Sequence, residues 1–220
     1  MTTKEKLQIK HYYDHYQFDL ASIFIENMLK SDSRDPILLY NLAFALYCCA
    51  EYSRSLSVMN RILKNSTNDF QILLLAARIY MKCHYYDRAE KILNYIVSGS
   101  TVNIEALALL SVYYFLVGDD TRSAMFFEQA KEKDCESPGF LVACARLALY
   151  KKKNKAEGDA LDMTLTHTTG ESHLAAMKTL YYLSKKNKRA AQKVLAPLFP
   201  TLPADIQKAF SLIASRKSYL

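Results

Sequence analysis

Apolar residues recur along this chain at intervals of three and four, the spacing of amphipathic helices, almost from one end to the other. A longer period lies over the short one. Leu42-Ala43 with Leu46, Ala76-Ala77 with Tyr80, and Leu110-Ser111 with Tyr114 are successive copies 34 residues apart. The second half of the unit keeps the same step. Phe18, Tyr52 and Tyr86 form one column, and Ala21, Ser55, Ala89 and Ser123 the next. Ile25, Met59, Leu93 and Phe127 follow, then Met28, Ile62, Ile96 and Ala130. Arg54, Arg88 and Arg122 align as well. Pro36 and Pro138 stand three periods apart, each suited to the first turn of a helix. The pattern predicts pairs of helices, A and B, joined by polar turns at 49–51, 83–85 and 118–120.

Period and columns together resemble the tetratricopeptide (TPR) repeat. Counting unit positions from residues 2, 36, 70 and 104, small residues at positions 8 and 20 (Ala43 and Ser55, Ala77 and Ala89, Ser111 and Ser123) allow helix A to approach helix B closely. Larger residues at positions 4, 7, 11, 24 and 27 fill the space between neighbours. A single hairpin cannot bury its apolar face, so units must stack. Six fit: 2–35, 36–69, 70–103, 104–137, 138–171 and 172–205, followed by a capping helix over 204–215. The fold expected is an all-α right-handed superhelix forming one solenoid domain over 1–220. The first unit departs from the pattern at Glu5 and Gln8, the fifth at Glu157 and the sixth at Lys178.

Composition supports this reading. Gly and Pro number only five each, too few for a sandwich or barrel that turns every few residues. Half of the residues are hydrophobic, which excludes a disordered chain. No apolar run approaches the length of a membrane span, and Met1–Lys6 offers no secretory h-region, so the expected setting is nucleus or cytoplasm, away from membranes. The net charge of +7 is uneven: residues 1–145 sum to −2 and residues 146–220 to +9. The basic third reads as a solvated edge, with nucleic acid a weaker alternative.

Catalytic chemistry is not legible. His11 and His15 lie at i, i+4, but no third ligand accompanies them, and none of the five histidines pairs with a Cys or carboxylate at a catalytic spacing. No phosphate-binding glycine loop is present. Cys48, Cys49, Cys83, Cys135 and Cys144 are odd in number and lack a C-x-x-C, which predicts five reduced thiols and no metal. The chain is therefore expected to be no enzyme and to need no cofactor.

Binding is the informative question. In a TPR array, positions 2, 5, 9, 12 and 13 of helix A line a concave groove. Here they supply Tyr40, Phe44, Tyr47, Leu74, Met81, Val112 and Phe115, an apolar surface that calls for a partner. TPR domains that clamp acidic C-termini resemble one another in carrying Lys at position 5 and Asn at position 9. This chain has Tyr40 and Phe44 there, which points to an apolar helix instead. The runs Tyr12–Glu26 and Leu39–Tyr47 resemble the opening of the TPR subunits of the anaphase-promoting complex (cyclosome) of the Cdc27 and Cdc16 type, over roughly residues 8–100. That resemblance implies a scaffold within a large complex of a cell-cycle ubiquitin ligase, and a homodimer in which each first helix enters the partner's groove. The inserted helix, over residues 4–16, would offer Leu7, Ile9, Tyr12, Tyr13 and Tyr16. Three classes of function remain, in order: a self-associating scaffold of this kind, an adaptor or chaperone holding an apolar segment of another protein, and a nucleic-acid-bound helical repeat.

Overall fold

The computed structural model describes residues 1–133 other than 16, 31–33, 65–66 and 100–101, together with 193 and 196. The units expected at 138–171 and 172–205, the capping helix, Cys135, Cys144 and Tyr16 lie outside the described residues. Eight helices and no strand occur among them: α1 (Thr3–Asp14), α2 (Phe18–Leu29), α3 (Pro36–Cys48), α4 (Tyr52–Leu63), α5 (Phe70–Lys82), α6 (Tyr86–Val97), α7 (Ile104–Leu116) and α8 (Asp120–Lys133). The first helix ends two residues before the expected limit, at Asp14, with His15 as its C-cap. The third turn runs over 117–119, and Asp120 already belongs to α8. The chain divides into two compact units, Met1–Val102 and Asn103–Leu220. The first contains the hairpins α1–α2, α3–α4 and α5–α6, stacked in order through α2 on α3 and α4 on α5. The second contains the hairpin α7–α8.

Helix starts follow a division of labour. Each A helix carries a side-chain cap: Asp35 accepts from the N–H groups of Ile37 and Leu38, Asp69 from Gln71 and Ile72, and Asn103 from Ala106. In α1 the cap is a reciprocal box, in which Thr2 accepts from the Glu5 N–H and the Glu5 carboxylate accepts from the Thr2 N–H. That gives Glu5, polar where later units have Leu39, Leu73 and Leu107, a structural task. The Thr2 bonds hold its exposed carboxyl below the usual carboxylate range. The helices α2, α4 and α6 have no such cap, because the preceding turn delivers them directly.

Those turns repeat one geometry. The N–H of Glu51 reaches back to the Leu46 carbonyl, Tyr85 to Tyr80 and Asp119 to Tyr114, at 2.8–2.9 Å, each closing the C-terminus of an A helix. Gln17 makes the equivalent bond to Tyr12 at 2.9 Å. The left-handed residue this closure needs is Ala50 (φ 60°), His84 (φ 61°) or Gly118 (φ 83°). Only glycine adopts that region without Cβ strain, which is roughly 1–2 kcal/mol for other residues. A Cβ on Gly118 would touch nothing within 4 Å, so the backbone alone sets its preference. Ala50→Gly should therefore stabilise the chain by up to about 1 kcal/mol after the extra unfolded-state entropy of glycine is counted. Gly118→Ala should destabilise by a similar amount. Thermal melts check both signs, and a lower melting temperature for Ala50→Gly would refute the account.

The hairpin crossing is where the columns meet. Ala43, Ala77, Ser111, Ala21, Ser55, Ala89 and Ser123 are all buried. The Ser55 hydroxyl donates to the Ala43 carbonyl at 2.7 Å, so a serine side chain spans the gap between α3 and α4. In the second unit Ser111 and Ser123 exchange such bonds, each hydroxyl donating to the other's carbonyl at 2.9 and 2.8 Å. Only helices in near contact permit this. In the first hairpin the column holds the larger Ile9, which is buried, and α1 packs on α2 less extensively than α3 does on α4.

Candidate functional site

The A-helix face of the first unit carries most of the expected groove. Tyr40 and Phe44 lie one turn apart on α3 and are half-buried. Tyr47, Leu74 and Met81 are buried, and so belong as much to the packing of the unit as to its surface. Val112 and Phe115 lie in the second unit, the first buried and the second partly exposed. Of the first helix, Leu7 is exposed, Ile9 is buried, and Tyr12 and Tyr13 are half-buried.

One cluster joins these residues. The Tyr13 ring meets Phe44 edge-on with centroids 5.5 Å apart and lies 5.6 Å from Phe18, while Phe18 and Phe44 are 6.1 Å apart. The Tyr13 hydroxyl donates to the Asn41 carbonyl on α3 at 2.8 Å. Burial raises the Tyr13 phenol above its ordinary range, with smaller contributions from Cys48 and Tyr40, so the proton needed for that bond stays in place. The residue expected to enter a partner's groove is thus seated on Phe44 of its own chain. Tyr12 packs edge-on against Phe24 of α2, with centroids 5.8 Å apart. The first helix is held by its Tyr pair and its capping box, features that position-by-position comparison with later units does not register.

Next to the cluster, Tyr40 faces α5. Burial raises its phenol, and the nearby Arg78 guanidinium works in the opposite direction. Lys82, one turn beyond Arg78, sits over the Tyr52 ring at 5.7 Å. The face therefore offers a half-open aromatic pair with arginine beside it.

The aligned arginines turn out to be packing elements. Arg88 covers the rings of Tyr80 and Tyr85 at 5.7 and 5.6 Å, and Arg122 covers Tyr114 at 4.4 Å. Arg122 pairs with Asp119 as well; where the helix A aromatic is replaced by Leu46, Arg54 pairs with Glu51 and with Glu26 of α2. The alignment of Arg with Tyr80 and Tyr114 was the sequence signal for this contact.

Cys48 is buried and Cys49 and Cys83 are half-buried, and none of the three is in a disulfide. Burial, then the neighbouring Cys49, pushes the Cys48 thiol well above its ordinary range. Burial, then Asp19, takes Cys49 up to about 11, and burial raises Cys83. A thiol raised in this way is a poorer nucleophile and metal ligand than an ordinary cysteine. The His15 Nδ1 donates to the His11 carbonyl at 2.8 Å, which occupies one of the nitrogens of that pair. Among the described residues no group of three or more His, Cys, Asp or Glu side chains is placed to hold a metal ion. No helix among them is long and apolar enough to cross a membrane.

No protein-family model matches the sequence, and no curated protein matches it. Solved structures do. A tetratricopeptide repeat protein from Parabacteroides merdae aligns with TM-score 0.61 at 16% identity, covering 94% of this chain and 82% of its own. MamA (residue 41 to the end) from Desulfovibrio magneticus RS-1 aligns with TM-score 0.55 at 17% identity over 99% of both chains. PilF from Pseudomonas aeruginosa gives 0.54 at 13% identity, covering 95% and 96%. At such identities the likeness concerns architecture, and with the eight described helices and their repeated hairpins it establishes an all-α fold of the tetratricopeptide-repeat type.

Proposed function

We propose that this chain is a non-catalytic protein-binding module whose A-helix face holds an apolar helix or extended segment of another protein. The observation that carries the reading is the half-open pair Tyr40 and Phe44 on α3, with Arg78 alongside, on a face where Ile37, one turn earlier, is exposed and Tyr47, Leu74 and Met81 are buried. Large aromatics left partly exposed on a rigid helix are the anchors on which peptide recognition is usually built. Tyr40 is the better probe. Phe44 and Tyr13 also hold α1 in place, so charging either confuses binding with folding.

Panning a random peptide display library against the wild-type chain should return apolar, helix-compatible sequences. Tyr40→Asp should weaken their binding by roughly thirtyfold, the effect of losing one anchor worth about 2 kcal/mol. Recovery only of peptides indifferent to Tyr40→Asp would overturn the reading.

A second form of the proposal takes the occupant to be the first helix of another copy, within a scaffold of the cyclosome type. Its support is the smaller contact of α1 with α2 and the resemblance of the first two repeats. In that form Tyr13 exchanges its own Phe44 for the partner's, and a chain lacking residues 1–20 should sediment as a monomer where the full chain is a dimer.

A further inference from the structure

Within Met1–Val102, equal repeat positions on α1, α3 and α5 form rows across the A-helix face. Tyr13 of α1 reaches Asn41 and Phe44 of α3, and Arg78 of α5 acts on Tyr40, which ties neighbouring helices of the rows together. At position 5 the row is Lys6, Tyr40, Leu74; at position 9 it is Lys10, Phe44, Arg78; at position 13 it is Asp14, Cys48, Lys82. The middle helix is apolar and partly open. Ile37 is 53% exposed, and Tyr40 and Phe44, at i+3 and i+7 from it, are half-buried. Each flank carries two cations one turn apart. Lys6 and Lys10 on α1 are exposed; Arg78 and Lys82 on α5 are half-buried, Lys82 lying over the Tyr52 ring. The acids stand at the ends of the face. Asp14 is at the end of α1, and Asp35 and Asp69 cap the starts of α3 and α5, where their carboxylates accept from backbone N–H groups.

An apolar strip between cations suits two kinds of polymer, and the rest of the face decides between them. A single nucleic-acid strand carries a negative charge at every step and needs open ring faces on which to stack. Here Phe44 already packs edge-on with Tyr13 and Phe18, and Ile37 offers no ring. The acids at both ends of the face would also meet a phosphate chain as it leaves. An amphipathic helix fits each of these features. Its diameter of about 10–12 Å matches the roughly 10 Å spacing of packed helices, so a helix laid over α3 has α1 on one side and α5 on the other. Apolar side chains at i, i+3 and i+7 would rest on Ile37, Tyr40 and Phe44. Carboxylates one turn apart beside that stripe would meet Lys6 with Lys10 on one flank and Arg78 with Lys82 on the other. The apolar strip then gives affinity, and the flanking charges select the partner and fix its orientation.

We infer that the occupant of the A-helix face is an acidic amphipathic helix of another protein, its apolar stripe on Ile37, Tyr40 and Phe44 and its carboxylates against Lys6 and Lys10 at one flank and Arg78 at the other. The inference rests on the peptide-binding reading and adds to it the charge of the partner and where that charge lies.

The test uses synthetic helical peptides that share one leucine stripe, are amidated at the C-terminus, and carry Glu, Gln or Lys at every flanking position. Fluorescence anisotropy with the full chain should rank them Glu, then Gln, then Lys. The Glu form should bind roughly tenfold tighter than the Gln form, by a margin that narrows as salt is raised. Lys6→Glu combined with Lys10→Glu should weaken the Glu form roughly tenfold and strengthen the Lys form, a gain that a misfolded variant could not show. Equal binding of the three forms, lost in Tyr40→Asp, would overturn the inference and leave the peptide-binding reading standing. Failure of the Glu form to bind would overturn the inference alone if the panned library still returns apolar peptides sensitive to Tyr40→Asp, and both readings if it does not. Binding of the Glu form that ignores both Tyr40→Asp and the double substitution would place it on another basic surface, which also overturns the inference. A single-stranded oligouridylate that binds in place of the peptides, and is lost with Lys6 and Lys10, would assign the face to nucleic acid instead.

Discussion

Ala77→Leu should destabilise the chain by about 1–3 kcal/mol, and by more if the hairpin cannot open. Ala77 on α5 and Ala89 on α6 are completely buried at the crossing of their hairpin. The width of such a gap shows at the same position in two other hairpins, where single serine side chains span from one helix to the backbone of the other. A leucine adds three carbon atoms to that space, and close-packed interiors have no slack to accept them. The choices left are an unfavourable rotamer or separation of α5 from α6, which would also disturb the contact of α5 with α4. Ala77→Ser is the control, since Ser111 occupies the column in the second unit without strain. Urea unfolding should show a lower midpoint for Ala77→Leu and one within a few tenths of a kcal/mol of wild type for Ala77→Ser. Equal midpoints for Ala77→Leu and wild type would place Ala77 away from the crossing.

Phe18→Ala should cost more, about 3–5 kcal/mol, and its effect should concentrate on α1. Phe18 is almost fully buried and lies between Tyr13 of α1 and Phe44 of α3. Removing the ring leaves a cavity and takes away one of the two aromatic surfaces on which Tyr13 rests. In a repeat array each hairpin depends mainly on its immediate neighbours. The amides of α1 should therefore lose hydrogen-exchange protection while those of α5 and α6 keep theirs. Uniform loss of protection across α1 to α6 would mean that the first unit unfolds as one cooperative block. Undiminished protection of α1 would mean that the capping box and Ile9 suffice to hold it.

The same cluster bears on function. Glu5 and Gln8 stand where later units place apolar residues, which by itself would leave the first helix weakly held in its own unit. In the structure Glu5 completes the capping box, and Tyr13 and Tyr12 supply the apolar contacts, one to Phe44 and one to Phe24. Exchange of α1 between copies would have to reproduce these contacts in the partner.

The period of 34 residues, the A and B helices, the small residues at their crossing and the polar turns were all legible in the sequence. Each depends on local patterning or on a steric demand that recurs in every unit. The caps Asp35, Asp69 and Asn103 form a column as regular as any of these, and the same comparison would have found them. Which groove residues stay open was not legible. Tyr40 and Leu74 share position 5, yet one is half-buried and the other buried. Leu7 and Leu75 share position 6, one 63% exposed and the other 2%. Periodicity states which side of a helix a residue occupies; what covers that side depends on the neighbouring hairpin, and only the tertiary structure supplies the neighbour.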